Sequence, residues 1–447
     1  MQSKSVDADS NPVIEAARSA KAALGALARL TTDQKNGALR AMAKAVSERA
    51  EEILAANKKD LDAARPLVEA GQMAEPLYRR LKLDEAKLRD IVVGIEQVAA
   101  LDDPVGKVTL ATELDEGLRL YRVNCPIGVI GVVFESRPDA LTQIASLCLK
   151  SGNAALLKGG REAERSNRTI FGIIYAAAVR AGVPAGAIAL LESREDVIAL
   201  LGAEGFVDLI IPRGSNSLVR YVQQNTSIPV LGHAEGICHI YVDDEADLDM
   251  AVKLTLDAKV TYPAACNSVE TVLVHRKAAR DFLPRAISEL QGHGVEVRLD
   301  ERSSDEIGVG GVLRATEQDW ATEYCDLILS IKVVESIEEA IEHINRYGSH
   351  HTDAIITKNA AAFDRFFSEV DSAGVYLNAS PRFADGYRYG FGAEVGISTG
   401  KLHPRGPVGL EGLVTYKYKL VGRGHLVSTY TGPEARRFTH RSLQATD

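Results

Sequence analysis

One thiol stands out in the run Thr261-Tyr262-Pro263-Ala264-Ala265-Cys266-Asn267-Ser268-Val269. The loop is made of small residues and a proline, and it opens straight into an apolar β-type run over 269–274. A strand end on a rigid sheet fixes the side chain it carries, and small neighbours leave room for a substrate. A cysteine placed there suits covalent catalysis, in which sulfur attacks an electrophilic carbon and holds it as a thioester. The competing reading is a small buried hydrophobe, which is what most free cysteines are.

Two further turns carry cations and glycines. Lys158-Gly159-Gly160-Arg161 sits where an apolar run ends and a helical pattern is about to begin. Lys158 and Arg161 could hold phosphate or ribose groups, with Gly159 letting the backbone come close; a plain turn with exposed cations is the alternative. Ile211-Pro212-Arg213-Gly214-Ser215-Asn216 repeats the logic. Ser215 or Asn216 is a good N-cap, and the free N–H groups of a helix start accept a pyrophosphate. Two such turns make a dinucleotide site plausible, although neither matches G-x-G-x-x-G or a Walker P-loop.

Other candidates have plainer explanations. His350 and His351 with Asp353 suggest a metal, but adjacent histidines on extended chain point to opposite faces. His239, in an apolar run, reads as a core or edge group; Glu235 reads as a turn carboxylate; Trp320 reads as packing.

These residues need elements to position them. A helical, Ala/Leu/Lys/Glu-rich stretch runs from Asn11 to about residue 100, after a polar start that reads as disordered. Alternating segments at 108–113 and 118–123 flank Asp115-Glu116-Gly117 and read as a β-hairpin. Strands are expected at 129–135, 154–158, 188–191 and 207–211, with helices at 140–150, 165–180 and 194–202. A second series has strands at 237–242, 269–275, 295–299, 327–334, 354–357 and 375–377, and helices at 248–258, 276–290, 337–347 and 360–367. Strand–helix alternation with buried-type strands implies an α/β fold with doubly wound parallel sheets. A last alternating strand at 413–421 could pair with the hairpin or with a neighbouring subunit.

At 447 residues the chain is long enough for two or three domains. With 46% hydrophobic and 25% charged residues it reads as an ordinary globular protein. A net charge of −9 argues against a general role on nucleic acid or on a membrane surface, and no apolar stretch approaches the length of a membrane span. The five cysteines are scattered and form no C-x-x-C, so neither a zinc ribbon nor a dithiol site is expected. No signal-peptide pattern opens the chain, and a reducing cytoplasm is the expected location, where a thiol stays available for chemistry.

Taken together the motifs resemble one family. Cys266-Asn267 is similar to the thiol motif of the aldehyde dehydrogenase superfamily. Within it, several stretches resemble the γ-glutamyl phosphate reductase (glutamate-5-semialdehyde dehydrogenase) family: Cys125-Pro126-Ile127-Gly128-Val129-Ile130-Gly131, Leu149-Lys150-Ser151-Gly152-Asn153-Ala154 and Ile210-Ile211-Pro212-Arg213-Gly214. So do Gly236-Ile237-Cys238-His239-Ile240-Tyr241-Val242-Asp243, the run 334–356 around Asn345-Arg346-Tyr347-Gly348-Ser349-His350-His351-Thr352-Asp353, and Arg382-Phe383-Ala384-Asp385-Gly386 with Phe391-Gly392-Ala393-Glu394. The resemblance spans about residues 12–425.

The resemblance implies an aldehyde-dehydrogenase-like α/β fold. A Rossmann-like cofactor domain would take 11–107 and 124–233, an α/β catalytic domain 234–411, and a small β oligomerisation flap 108–123 and 412–447. It implies NADPH-dependent reduction of L-glutamate 5-phosphate to L-glutamate 5-semialdehyde with release of phosphate, a step of proline biosynthesis. NADP(H) would be the cofactor. A homo-oligomer (dimer or tetramer) and contact with glutamate 5-kinase are the implied partners. Carried over by position, Cys266 is the nucleophile, its ionisation favoured by backbone N–H groups or nearby cations, and Asn267 follows it in the motif. The Cys266 N–H would be one oxyanion donor. Ser136 stands where the superfamily has an asparagine donor, with Arg137 or another group as alternatives. Lys158 corresponds to the adenosine-ribose lysine, with Gly159 beside it. Arg161 replaces a glutamate of NAD-preferring relatives and so favours NADP. Arg213, Gly214 and Ser215 match the pyrophosphate turn, and Glu323 falls where the nicotinamide ribose is held. Arg137 and Arg382 are the substrate-binding cations, and Pro381 departs from the usual Thr or Ser. His233 or Ala234 stands where aldehyde-oxidising relatives keep a glutamate base; a reductase needs no hydrolytic water there. No metal is expected.

Two other readings keep Cys266. One is NAD(P)-dependent oxidation of another semialdehyde. The other is a cysteine hydrolase using Cys266 with His233 or His351. A non-catalytic scaffold is the fourth possibility.

Overall fold

The computed structural model describes residues 11–73, 75–193, 195–232, 235–306 and 311–444. Two compact units emerge: one runs to Leu231 and takes in Gly392–Val395 and the chain from Val408, and the other comprises Gly232–Phe391 and Gly396–Pro407. Among the described residues, no helix is long and apolar enough to cross a membrane.

The first unit begins with helices whose ends are written in the sequence. Asn11 caps Pro12–Leu27, its side chain accepting from Val13 N–H at 2.9 Å, and the proline sits in the first turn where no N–H is needed. Thr31 and Gln34 form a capping box at the start of Thr32–Glu48. Behind these helices lies a parallel sheet in the order Ile188–Leu191, Ala154–Lys158, Val129–Phe134, Leu209–Arg213. All six residues of Val129–Phe134 are buried, which explains why that strand reads as an unbroken apolar run. The fourth strand lies two residues later than the 207–211 expected from pattern. Its pairing carries through Pro212 to Arg213, opposite Phe134. Proline is tolerated because this is the edge strand and its missing N–H faces outward.

A second sheet of this unit is antiparallel. The hairpin Val108–Asp115 and Leu118–Pro126 is joined by Val414–Val421, which pairs with Leu118–Pro126 from Val414 opposite Pro126 to Val421 opposite Arg119. Arg441–Ser442 adds to the other edge, a pairing no alternation announces in two residues. Ion pairs fasten this tail: Arg436 to Asp115 at 2.7 Å, and Arg441 to Glu113.

The second unit holds a seven-stranded, wholly parallel sheet. Its order is Leu313–Arg314, Glu296–Leu299, Ile328–Val334, Val269–His275, Cys238–Val242, Thr352–Ile356, Gly374–Leu377. Val269–His275 is central, and its apolar side chains pack with Phe282, Leu283, Ile287 and Ile331 in a dry core. The strand that follows the Cys266 loop is thus held on both edges and both faces.

In the first unit, Asn153 joins three pieces of chain. Its Oδ1 accepts from Gly128 N–H at 2.8 Å, and its Nδ2 donates to Ser151 Oγ and Leu413 O, both at 2.8 Å. Asn153→Ala leaves a buried N–H and a buried carbonyl unpaired, a loss of about 2–4 kcal/mol. Urea unfolding should show that drop in stability; a change under about 0.5 kcal/mol would mean water replaces the amide.

Candidate functional site

Cys266 lies in a turn, with Ala265 N–H donating to Tyr262 O and Ser268 N–H to Ala265 O. Gly236, two residues before the strand Cys238–Val242, packs against it. A Cβ on Gly236 would stand 2.1 Å from the Cys266 carbonyl oxygen and 2.6 Å from its Cα, so only glycine permits the contact. The buried Cys238 thiol donates to the same carbonyl at 3.3 Å, and burial holds it far from ionisation. Ser268 Oγ donates to Ala258 O at 3.0 Å and fixes the loop to the helix Leu248–Val260. Cys266 itself is only partly buried. The result is a partly exposed thiol on a main chain packed against Gly236 and the helix Leu248–Val260.

Asn267 is buried, and its Nδ2 donates to Ala384 O at 2.9 Å and Arg382 O at 3.4 Å. It therefore fastens the loop that carries Arg382. Its Oδ1 is buried without a partner among the described residues. Arg382 extends over the Tyr262 ring at 5.9 Å, with Nε donating to Thr261 Oγ1 at 3.3 Å. Burial and the nearby Arg388 guanidinium pull its pKa down, while an ionised Cys266 and two aspartates act the other way. A cation thus stands within electrostatic reach of the sulfur. Arg388 is a second cation in this corner that the sequence did not single out, ion-paired to Asp385 at 3.4 Å.

In the first unit the anion-binding candidates come together at the strand ends. Parallel pairing sets Val133 opposite Lys158 and Phe134 opposite Arg213, so the turns after all three strands open on one edge. Lys158 is buried and donates to Gly159 O; burial lowers its pKa, opposed by Asp196, Glu162 and Glu164. Arg161 is exposed at the same turn. Ser215 caps the helix Asn216–Gln224, and Arg213 reaches Glu394 O at 3.2 Å. The Glu135 carboxylate accepts from Ser215 N–H at 2.7 Å, and a Cβ on Gly214 would collide with it. The helix start thus presents N–H donors to an anionic oxygen, and a phosphate bound there would have to displace the Glu135 carboxylate.

Ser136 follows Glu135 with φ 43, a left-handed conformation for a residue with a side chain. Its N–H and Oγ both donate to Glu162 Oε1, at 2.6 and 2.7 Å. Arg137 is exposed and pairs with Asp139 at 3.1 Å. Glu135 and Glu162 were missed in the sequence; their one signal is adjacency to the cation- and glycine-bearing turns. Glu323 lies in the second unit just after the Glu317–Ala321 turn. His233 and Ala234, read from the resemblance as replacing a glutamate base, lie outside the described residues. His350 and His351 part ways, though not on extended chain as expected, since His350 has φ 60: its Nδ1 is 2.6 Å from Asp371 O, and His351 Nδ1 is 3.7 Å from the Cys238 thiol. No cluster of three metal-ligating side chains occurs among the described residues.

The aldehyde dehydrogenase family model matches residues 2–327, and the chain belongs to that family. Its relatives narrow the class. A gamma-glutamyl phosphate reductase of Synechococcus sp. (strain JA-2-3B'a(2-13)) is 58% identical over 97% of this chain and 95% of its own length. One from Methanosarcina barkeri is 54% identical over 95% of this chain and 96% of its own. The crystal structure of gamma-glutamyl phosphate reductase from Thermotoga maritima superposes with a TM-score of 0.89 at 42% identity, covering 93% of this chain and all of that one.

Gly236→Ala tests the packing under the sulfur. The new methyl must push the Cys266 main chain aside by about 1 Å, a misplacement that lowers turnover on the order of a hundredfold. The variant should still unfold cooperatively. Turnover at the wild-type rate would mean the loop has slack that the packing denies.

Proposed function

We propose that the protein reduces L-glutamate 5-phosphate to L-glutamate 5-semialdehyde with NADPH, releasing phosphate, through a thioester on Cys266. The observation that carries this reading is 58% identity over 97% of the chain to a protein named for γ-glutamyl phosphate reduction. The local chemistry agrees: a partly exposed thiol on the Cys266 loop, the Arg382 guanidinium near it, and cation- and glycine-bearing turns at the strand ends.

Cys266 Sγ attacks the acyl carbon of the mixed anhydride. The carbon–oxygen bond to phosphate breaks, phosphate leaves and the thioester forms. The oxyanion of each tetrahedral species would be met by the Cys266 N–H, with Ser136 as second donor once its N–H and Oγ leave Glu162. Arg382 and Arg137 hold the substrate's anionic groups. NADPH, when bound, supplies the hydride that reduces the thioester. The carbon–sulfur bond then breaks, the aldehyde departs and the thiolate is restored. Lys158 with Gly159 holds the adenosine ribose, Arg213, Gly214 and Ser215 the pyrophosphate, and Glu323 the nicotinamide ribose. Arg161 favours the 2′-phosphate of NADP over NAD.

The strand Val414–Val421 supports an oligomer. It is an edge strand, and Tyr416, Tyr418, Leu420 and Val421 project from it exposed. An edge with that much apolar side chain is normally covered. A second copy covers it in this reading, giving a dimer or tetramer in the cytoplasm. Glutamate 5-kinase is the partner that would deliver the labile acyl phosphate.

Run in reverse, the enzyme should sustain NADP reduction with glutamate semialdehyde beyond one equivalent per site only when inorganic phosphate is present, and Cys266→Ala should abolish reduction altogether. Phosphate-independent turnover would point to aldehyde oxidation instead. Arg161→Ala should weaken NADPH binding about tenfold or more, as expected for loss of a charged hydrogen bond, and leave NADH binding unchanged. Equal losses for both nucleotides would remove Arg161 from the 2′-phosphate.

A further inference from the structure

The segment that carries Glu323 is tied to the Cys266 loop by two charges that water does not reach. Lys259, in the last turn of Leu248–Val260, and Glu270, four residues beyond Cys266, are both fully buried, with Nζ 2.6 Å from Oε2. Burial pushes the Glu270 carboxyl up to about 7 and pulls Lys259 down, each partner's charge working against the shift. A well-packed apolar pair of the same volume is often as stable as such an ion pair. Stability alone therefore gives little reason for these charges, and their location becomes informative.

Glu270 is the extra residue of a β-bulge. Val269 lies opposite Cys238 and Thr271 opposite His239, so one residue of the strand is left over at the mouth of the nucleophile loop. Bulges re-aim a side chain, and this one turns Glu270 toward the far segment. There its Oε1 faces the Cys325 N–H at 3.5 Å, and Cys325 has φ 53. The Lys259 ammonium lies over the Tyr324 ring, 5.8 Å from its centre. The Tyr324 hydroxyl bonds Asp319 Oδ1 and Ser330 Oγ, each at 2.7 Å, and Arg298 holds Asp319 at 2.5 Å. The two residues after Glu323 are thus clamped to the sheet. On the other side, Lys259's neighbour Ala258 accepts from Ser268 two residues after Cys266.

The geometry points to Lys259 and Glu270 as positioning residues that hold Glu323 in fixed register with the Cys266 loop, so that a nicotinamide ribose gripped by Glu323 is presented to the reacting carbon at one distance. This rests on the functional reading above, in which Cys266 carries the acyl group and Glu323 the ribose. Neither buried residue touches substrate; both act through the segments they join.

The test is a Lys259→Met/Glu270→Met double variant, which removes both charges and keeps the volume, made in the full chain. Four readouts are taken beside wild type: the unfolding midpoint, mass-spectrometric labelling of Cys266 by iodoacetamide, the Kd for NADPH by fluorescence, and kcat with both KM values. The expected result is cooperative unfolding near the wild-type midpoint and full labelling of Cys266. With these, the Kd and KM for NADPH rise about tenfold and kcat falls by a similar factor, because a ribose held loosely misplaces the reacting carbon. KM for the acyl substrate stays within about twofold, since the residues that hold it are untouched. Wild-type NADPH affinity and kcat in the double variant would overturn the proposal, as would equal damage to both KM values with a lowered midpoint. If the double variant does not fold, Glu270→Gln, which keeps a hydrogen bond to Lys259, carries the same readouts and the same expectations at smaller amplitude. Wild-type enzyme that binds no nicotinamide nucleotide would overturn the functional reading and the clamp with it; wild type that binds while the variant is unaffected would overturn the clamp alone.

Discussion

The main chain at Cys266 and the main chain at Gly236 lie too close for a single carbon to fit between them. A reacting thiol gains from being held still, because rate falls steeply when the attacking atom is misplaced. Here the holding is done by backbone. The sulfur keeps its freedom, while the turn beneath it is gripped by Gly236 on one side, by the Cys238 thiol at its carbonyl, and by the Ser268 hydroxyl on the neighbouring helix. All of this depends on the parallel sheet, whose central strand begins at the next residue but two.

Charge follows the same division of labour. Near the sulfur, Arg382 is placed by the loop that Asn267 fastens, so the residue after Cys266 works as a fixing for that cation. At the strand ends of the other sheet, carboxylates sit on the donors an anionic ligand would use: Glu135 at Ser215, and Glu162 at Ser136. A ligand phosphate arriving there has to displace these carboxylates from the N–H groups, because like charges side by side repel. The left-handed backbone at Ser136 is held in place by that pair of hydrogen bonds to Glu162.

Much of this was legible in the chain. The thiol loop could be read because small residues and proline abut an apolar run, and the buried parallel strands could be read because they lack alternation. The caps at Asn11 and Thr31 were not singled out, although their partners lie within three residues. What stayed hidden is contact between distant positions. Gly236 meets Cys266 across thirty residues of sequence, and nothing in either neighbourhood signals it. Lys259 and Glu270 are near in sequence but joined through a bulge, which a periodic pattern cannot show. The strand reaching Arg213 was placed two residues early because proline reads as a stop, and only the sheet order reveals that this edge tolerates it. The Arg441–Ser442 pairing is too short for any period to announce.

The central claim is that a glutamyl group passes through the Cys266 sulfur. Enzyme mixed with glutamate semialdehyde and NADP in the absence of phosphate, quenched in acid within one turnover and digested, should yield the Cys266 peptide heavier by one glutamyl residue, and added phosphate should discharge it. An unmodified Cys266 peptide while NADPH accumulates, or the adduct on another side chain, would contradict the account.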